Sequence, residues 1–289
     1  VDDGLLYVWA PKALVYGLGQ LAIGITVVRR LAPHPKPESA TWLHELDAWL
    51  VRLARLVSFL LVAALIVRLW VQTASAFGTS EAWLPANLRV IALESRWGNG
   101  WRLQMLSAAV MLGAALLTSA WRFGWRPFEV AAVGLALAMP LLGHAAGSPL
   151  RHAVHVLHNL GAGVWIGTLG VITLAAWRFR APFADSDIVS ALVRRFSPLA
   201  FVAAPLVMMS GILVAVVYVG SWTSMWTTTY GRVLSAKLAT VVVVGVCGWM
   251  NRQGVRRGSR PSRFVITLEC LAAMLVLGIT GVLTETEHP

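Results

Sequence analysis

Four of the chain's seven histidines, His144, His152, His155 and His158, fall within fifteen residues of an otherwise apolar stretch. An imidazole is expensive in lipid, so histidines in such a stretch need a partner or a task. His152, His155 and His158 recur every third residue, which on a helix spreads them over an arc of roughly 120° with neighbours about 5–6 Å apart. Adjacent pairs can share one ion. His144 precedes a Gly147-Ser148-Pro149 turn, so the helix ending there and the helix starting near Arg151 would bring their histidines to one membrane face. Gly161, Gly163 and Gly167 follow and invite close approach by another helix, with Trp165 one heptad beyond His158.

Further soft or titratable groups stand on the neighbouring and later segments. Met139 and Pro140 lie just before His144, where the proline predicts a kink, and Met208, Met209 and Met225 add thioethers on later segments. Cys247 and Cys270 fall near one end of their segments, Glu269 stands beside Cys270, and Lys237 enters an apolar run. Thioether and thiolate select Cu(I), and imidazole also accepts Cu(II), so copper is the natural cargo of such a set. The His cluster would accept the ion, with Met139, Met208, Met209, Met225, Cys247, Glu269 and Cys270 as candidate stations of a path. The same histidines could instead hold haem b, with His144 paired to His155 or His158 between facing helices for electron transfer. The structural alternative is that the histidines only hydrogen-bond one helix to the next. For the methionines it is gap-filling, and for the cysteines inert packing.

These residues need a membrane scaffold, and the composition supplies one. The 289 residues are 57% hydrophobic and 13% charged, with mean hydropathy +0.70. Eight apolar segments of about 17–25 residues are each long enough to cross a bilayer core. They centre on 13–29, 53–75, 102–121, 128–146, 152–176, 198–220, 233–250 and 264–283. The fold class is therefore an all-α polytopic membrane protein, a bundle of about eight transmembrane helices in one integral domain spanning 1–289. Val1 to Lys12 has neither a basic start nor a small-residue cleavage site, so no removable signal peptide is expected.

The net charge of +11 is distributed between the segments rather than on one soluble face, which argues against nucleic acid. Threading the chain through eight crossings puts 16 of the 24 Lys and Arg on one side, among them Arg29, Arg30, Arg55, Arg126, Arg195 and Arg252. The positive-inside rule makes that side cytoplasmic and places both termini and the 144–152 turn in the periplasm of a bacterium. Trp42 to Arg55 reads as an amphipathic surface helix leading into the second segment, with His44 on its wet face, while His34 falls in a proline-rich loop. Residues 76–101 form the longest outward stretch, with a short amphipathic piece around Leu88 to Leu93. Two cysteines near the inner ends make a structural disulfide unexpected. No GxxxxGK[ST] loop, HExxH or Gly-rich dinucleotide turn is present, so no enzyme activity is expected.

From about Pro140 onward the chain resembles the CopD/PcoD copper-resistance family of bacterial inner-membrane proteins. The resemblance rests on Gly143-His144-Ala145 and on His155-x-x-His158 followed by Gly161-Ala-Gly163-Val-Trp165-Ile-Gly167. Arg195-Phe196-Ser197, Ser210-Gly211, Thr229-Tyr230-Gly231-xxx-Leu234-xx-Lys237, Asn251-Arg252 and Glu269 continue it in order, making 140–289 the family-like core. The resemblance implies an eight-helix protein that takes copper from the periplasm, often beside a small periplasmic copper-binding partner, and passes it inward by ligand exchange. A membrane anchor that only docks such a chaperone is a further reading. The sequence leaves the oligomeric state open.

Overall fold

The computed structural model describes residues 3–32, 40–118, 125–142, 148–179, 186–219, 223–257 and 263–283, and every regular element among them is helical. In chain order these are α1 (Asp3–Leu31), α2 (Ala40–Phe77), α3 (Pro85–Arg89), a π turn (Val90–Glu94), α4 (Arg96–Leu117) and α5 (Trp125–Ala138). A 3-10 turn (Met139–Leu142) closes α5. Then come α6 (Pro149–Ala162), a second π turn (Gly163–Gly167), α7 (Thr168–Arg178), α8 (Ser186–Val219), α9 (Ser224–Thr227), α10 (Thr229–Arg256) and α11 (Arg263–Leu283).

Each of the eight predicted apolar segments has its counterpart in a helix. Among the described residues seven helical stretches are long and apolar enough to cross a membrane: 10–31, 43–77, 96–117, 125–142, 149–178, 188–213 and 229–254. Phe264–Thr280 is a shorter apolar helix. The protein is an all-α, multi-pass membrane protein, and its helical form follows from the bilayer, where every backbone N–H and C=O must be satisfied within the segment.

The core is built around α1, which packs against α2, α5, α6, α7, α8, α11 and the second π turn. Its Val15, Ala22, Ile25 and Val28 are fully buried. Close packing needs small residues here. A Cβ on Gly24 would stand 2.2 Å from the Gly167 carbonyl oxygen, and one on Gly167 would stand 1.9 Å from that of Gln20, so the two backbones touch. Gly163 faces Ile23 in the same crossing. The close approach expected of Gly163 and Gly167 is therefore made to α1.

Local chemistry decides the ends. The expected surface helix of 42–55 is continuous with the second segment as α2, and its apolar stripe, Leu46, Leu50, Ala54 and Val57, is buried rather than laid on a membrane surface. His44 is exposed, as expected. Pro140 ends the α5 hydrogen-bond ladder as a 3-10 turn, where the sequence led to a kink. The piece around Leu88 to Leu93 is helical, as α3 and the first π turn, and α4 is capped by Ser95, whose hydroxyl accepts from Gly98 N–H at 2.9 Å.

Basic residues assigned to one face by alternation do meet at one end of the bundle. Arg30 Nε donates to Glu129 at 3.2 Å, Arg29 Nε lies 3.4 Å from Asp47, and the Arg29 guanidinium stacks on Trp125 at 4.8 Å. Arg55 Nε reaches the Ala115 carbonyl at 2.9 Å, and Arg195 Nη1 reaches that of Leu31 at 3.0 Å. These contacts tie α1, α2, α4, α5 and α8 together at that rim.

Candidate functional site

α6 carries the histidine ladder. Ser148 caps the helix, Pro149 occupies its first position, and the helix packs against α8. Gly161 brings the helices close: a Cβ there would lie 2.8 Å from Val207 Cγ2. His158 is the best-seated member. Its Nδ1 lies 3.1 Å from the Val207 carbonyl oxygen and 3.0 Å from Ser210 Oγ, both on α8.

Those two partners settle which nitrogen carries the proton. Ser210 Oγ itself donates to the Leu206 carbonyl at 2.7 Å, so it presents a lone pair to the ring, and the Val207 carbonyl can only accept. Nδ1 therefore holds the hydrogen and Nε2 keeps a lone pair. Gly211 supplies the room, since a Cβ there would come within 3.4 Å of His158 Cε1. In the sequence Ser210 and Gly211 stand out only through the family resemblance. A Ser-Gly pair in an apolar helix was the available signal, but its partner 52 residues away was not legible.

His155 and His152 lie one and two turns before His158, all three half-buried. His155 is within electrostatic range of His152, of His158 and of Lys237, a half-buried amine on α10 that also acts on His158. His152 Nδ1 is buried without a hydrogen-bond partner. The ladder is open: among the described residues no group of three or more His, Cys, Asp or Glu side chains is arranged to hold a metal ion. Steps of three residues on one helix bring neighbours together but carry the first and third apart. His144 lies outside the described residues.

A second polar group sits between α10 and α11. Glu269, only 4% exposed, accepts a hydrogen bond from Asn251 Nδ2 at 3.0 Å. Gly248 leaves room for the carboxylate, as a Cβ there would stand 2.9 Å from Oε1. Cys247, buried beside Gly248, and Cys270 both lie within electrostatic range of Glu269, and Cys270 is within reach of Thr173 on α7. Both cysteines are free thiols.

The methionines are not gathered with the histidines. Met208 and Met209, 48% and 59% exposed, lie on the outer surface of α8, while their neighbours Val207 and Ser210 face His158. Met139 is buried against Gly19 of α1. Met225 packs with Tyr230, Leu234 and Leu283. Tyr230 and Gly231 form a corner: a Cβ on Gly231 would stand 2.1 Å from the Ser224 carbonyl oxygen, so glycine lets α9 fold onto the start of α10. Trp165 is buried in the core within the second π turn, which interrupts the heptad expected to align it with His158.

A bundle with imidazole, amine and carboxylate held in its interior defines a polytopic helical membrane protein with polar groups along its buried faces. Family models give it a more particular place. Copper resistance protein D matches residues 190–283, and Copper resistance protein D-like, N-terminal domain matches 6–152. The chain belongs to the copper resistance protein D family. It is also similar to Copper transport protein CutJ of Bacillus subtilis (strain 168), 29% identical over 239 residues that cover 78% of this chain and 44% of that protein. The chain thus spans less than half the length of this curated relative. No solved structure matches the chain.

Proposed function

We propose that the protein moves copper across the bacterial inner membrane, accepting it at the histidine ladder of α6 and passing it inward by ligand exchange. The observation that carries this reading is the seating of His158. Two acceptors on α8 fix its hydrogen on Nδ1 and so keep Nε2 bare for a borderline ion, the arrangement that orients metal-binding imidazoles in general. Membership of a copper-resistance family and likeness to a protein named for copper transport support the choice of ion.

In this mechanism copper enters at His152 and His155, whose spacing lets them share it, and shifts by one helical turn to His155 and His158. Lys237 lies in range of the inner pair and opposes a second positive charge there. The ion is therefore held weakly enough to leave, as conduction requires. Cys247, Cys270 and Glu269 are the groups available toward the other end. Met208 and Met209 are not on this route, because their side chains lie on the outer surface. A small periplasmic copper-binding protein is the proposed donor.

The test is copper accumulation by cells and proteoliposomes carrying His155→Ala and His158→Ala, singly and together. Uptake should fall about tenfold or more, the range expected when a metal ligand or its support is lost. Undiminished uptake in the double variant would remove these residues from the path. The visible spectrum of the purified protein should be featureless. A Soret band with sharpened bands on reduction would assign the histidines to haem b instead.

A further inference from the structure

The crossing of α1 over the second π turn is so tight that backbone meets backbone at Gly24 and Gly167. Two polar side chains nevertheless stand at it, and neither finds a hydrogen-bond partner. Gln20, 7% exposed, has an orphaned Oε1, and Thr168, fully buried, has an orphaned Oγ1. They flank the same contact. A Cβ on Gly167 would strike the Gln20 backbone, and one on Gly24 would stand 2.7 Å from Thr168 N.

Thr168 is an exception with a physical cause. Thr73, Thr173, Thr240 and Thr280 each donate to the carbonyl four residues back, at 2.7 to 2.9 Å, which is how a hydroxyl is satisfied in a dry helix. The residue four before Thr168 is Val164, inside the π turn Gly163–Gly167, where the wider i→i+5 winding displaces the carbonyls from that position. The turn that admits α1 thus also strips Thr168 of its usual acceptor. A buried oxygen without a partner in a bundle interior calls for an occupant that can bond to it.

Their height in the bundle matters as much. α6, the π turn and α7 form one continuous rod from Pro149 to Arg178. Thr168 lies ten residues beyond His158, roughly 15 Å along it at helical rise. Thr173, within reach of Cys270 beside Glu269, follows five residues later. Gln20 and Thr168 therefore fall between the histidine ladder and the Glu269–Asn251 pair, on the side of the rod that α1 covers.

We infer that Gln20 and Thr168 form a third, intermediate station: a small polar site at the α1 crossing that holds a water molecule at rest and takes the copper ion in passage. The inference rests on the copper-transport reading. Oxygen donors are hard and bind a soft ion poorly, so the site lowers the barrier between two stronger sites without trapping the cargo.

Two experiments test it. In a Cys247→Ser, Cys270→Ser background, Thr168→Cys is exposed in membrane vesicles to silver(I), a soft monovalent surrogate, and the bound silver is counted per protein. Ala132→Cys, equally buried on α5, is the control. Thr168→Cys should gain one silver ion over the background and Ala132→Cys none. No gain at Thr168→Cys would overturn the site. Separately, Gln20→Leu and the isosteric Thr168→Val should cut copper uptake about tenfold in proteoliposomes while copper bound by the purified protein at the histidine end stays unchanged. Full uptake by both variants would overturn the station and leave the transport reading intact. A wild type that takes up no copper, with silver still gained at Thr168→Cys, would instead sink the transport reading and support an ion-accessible site.

Discussion

At the scale of single residues, the decisive feature is a hydrogen bond that never touches the cargo. Ser210 Oγ and the Val207 carbonyl hold His158 by Nδ1, so the side chain presents one defined nitrogen. Ser210→Ala should weaken copper binding about tenfold without loss of fold, because support of this kind typically contributes a factor of 10–100. A competition titration against a copper(I) chelator reads this directly, and an unchanged affinity would separate Ser210 from the site. Glu269 is the second such residue. Asn251→Ala removes its donor and leaves a buried carboxylate bare, which should destabilise the protein by about 1–3 kcal/mol. Thermal unfolding in detergent measures the loss, and Glu269→Gln in the same background should restore part of it by removing the charge.

At the scale of elements, the second π turn does several things at once. It lets α1 lie against the backbone of the α6–α7 rod, it moves Trp165 into the core, and it interrupts the back-bonding that other threonines use. Gly24→Ala and Gly167→Ala each place a methyl where a carbonyl already stands, at 2.2 and 1.9 Å. Each should cost about 1–3 kcal/mol as overpacking, or more where the backbone cannot shift. The expected readout is a lowered unfolding temperature for both. Gly113→Ala, on α4 with nothing within 4 Å of the added Cβ, should leave stability unchanged or slightly raised.

At the scale of the whole molecule, one rim is basic and internally bonded through α1, α2, α4, α5 and α8, and the histidine ladder stands on a different helix, α6. Arg29, Arg30, Arg55 and Arg195 do more than mark a side, since each contacts another helix there. The positive-inside rule predicts that this rim faces the cytoplasm. A phosphatase reporter fused after Pro289 should therefore be active in the periplasm, and one inserted between Arg256 and Ser262 should be inactive. The reverse pattern would invert the direction in which the histidines face.

The eight apolar segments, the basic rim and the three-residue spacing of His152, His155 and His158 were legible because they are local. Hydropathy, charge alternation and helical period are properties of neighbours in sequence, and the bilayer enforces them segment by segment. The family resemblance was legible for the same reason, as short motifs in order. What the chain's order could not convey were pairings across helices: His158 with Ser210, Asn251 with Glu269, Gly24 with Gly167, and the exposure of Met208 and Met209 one helix face away from the ladder. Nor did it show that α1 would be the hub of the bundle. Those outcomes depend on which face of each helix meets which neighbour, and in lipid that is decided by small residues and buried hydrogen bonds, contacts that exist only once the helices have packed.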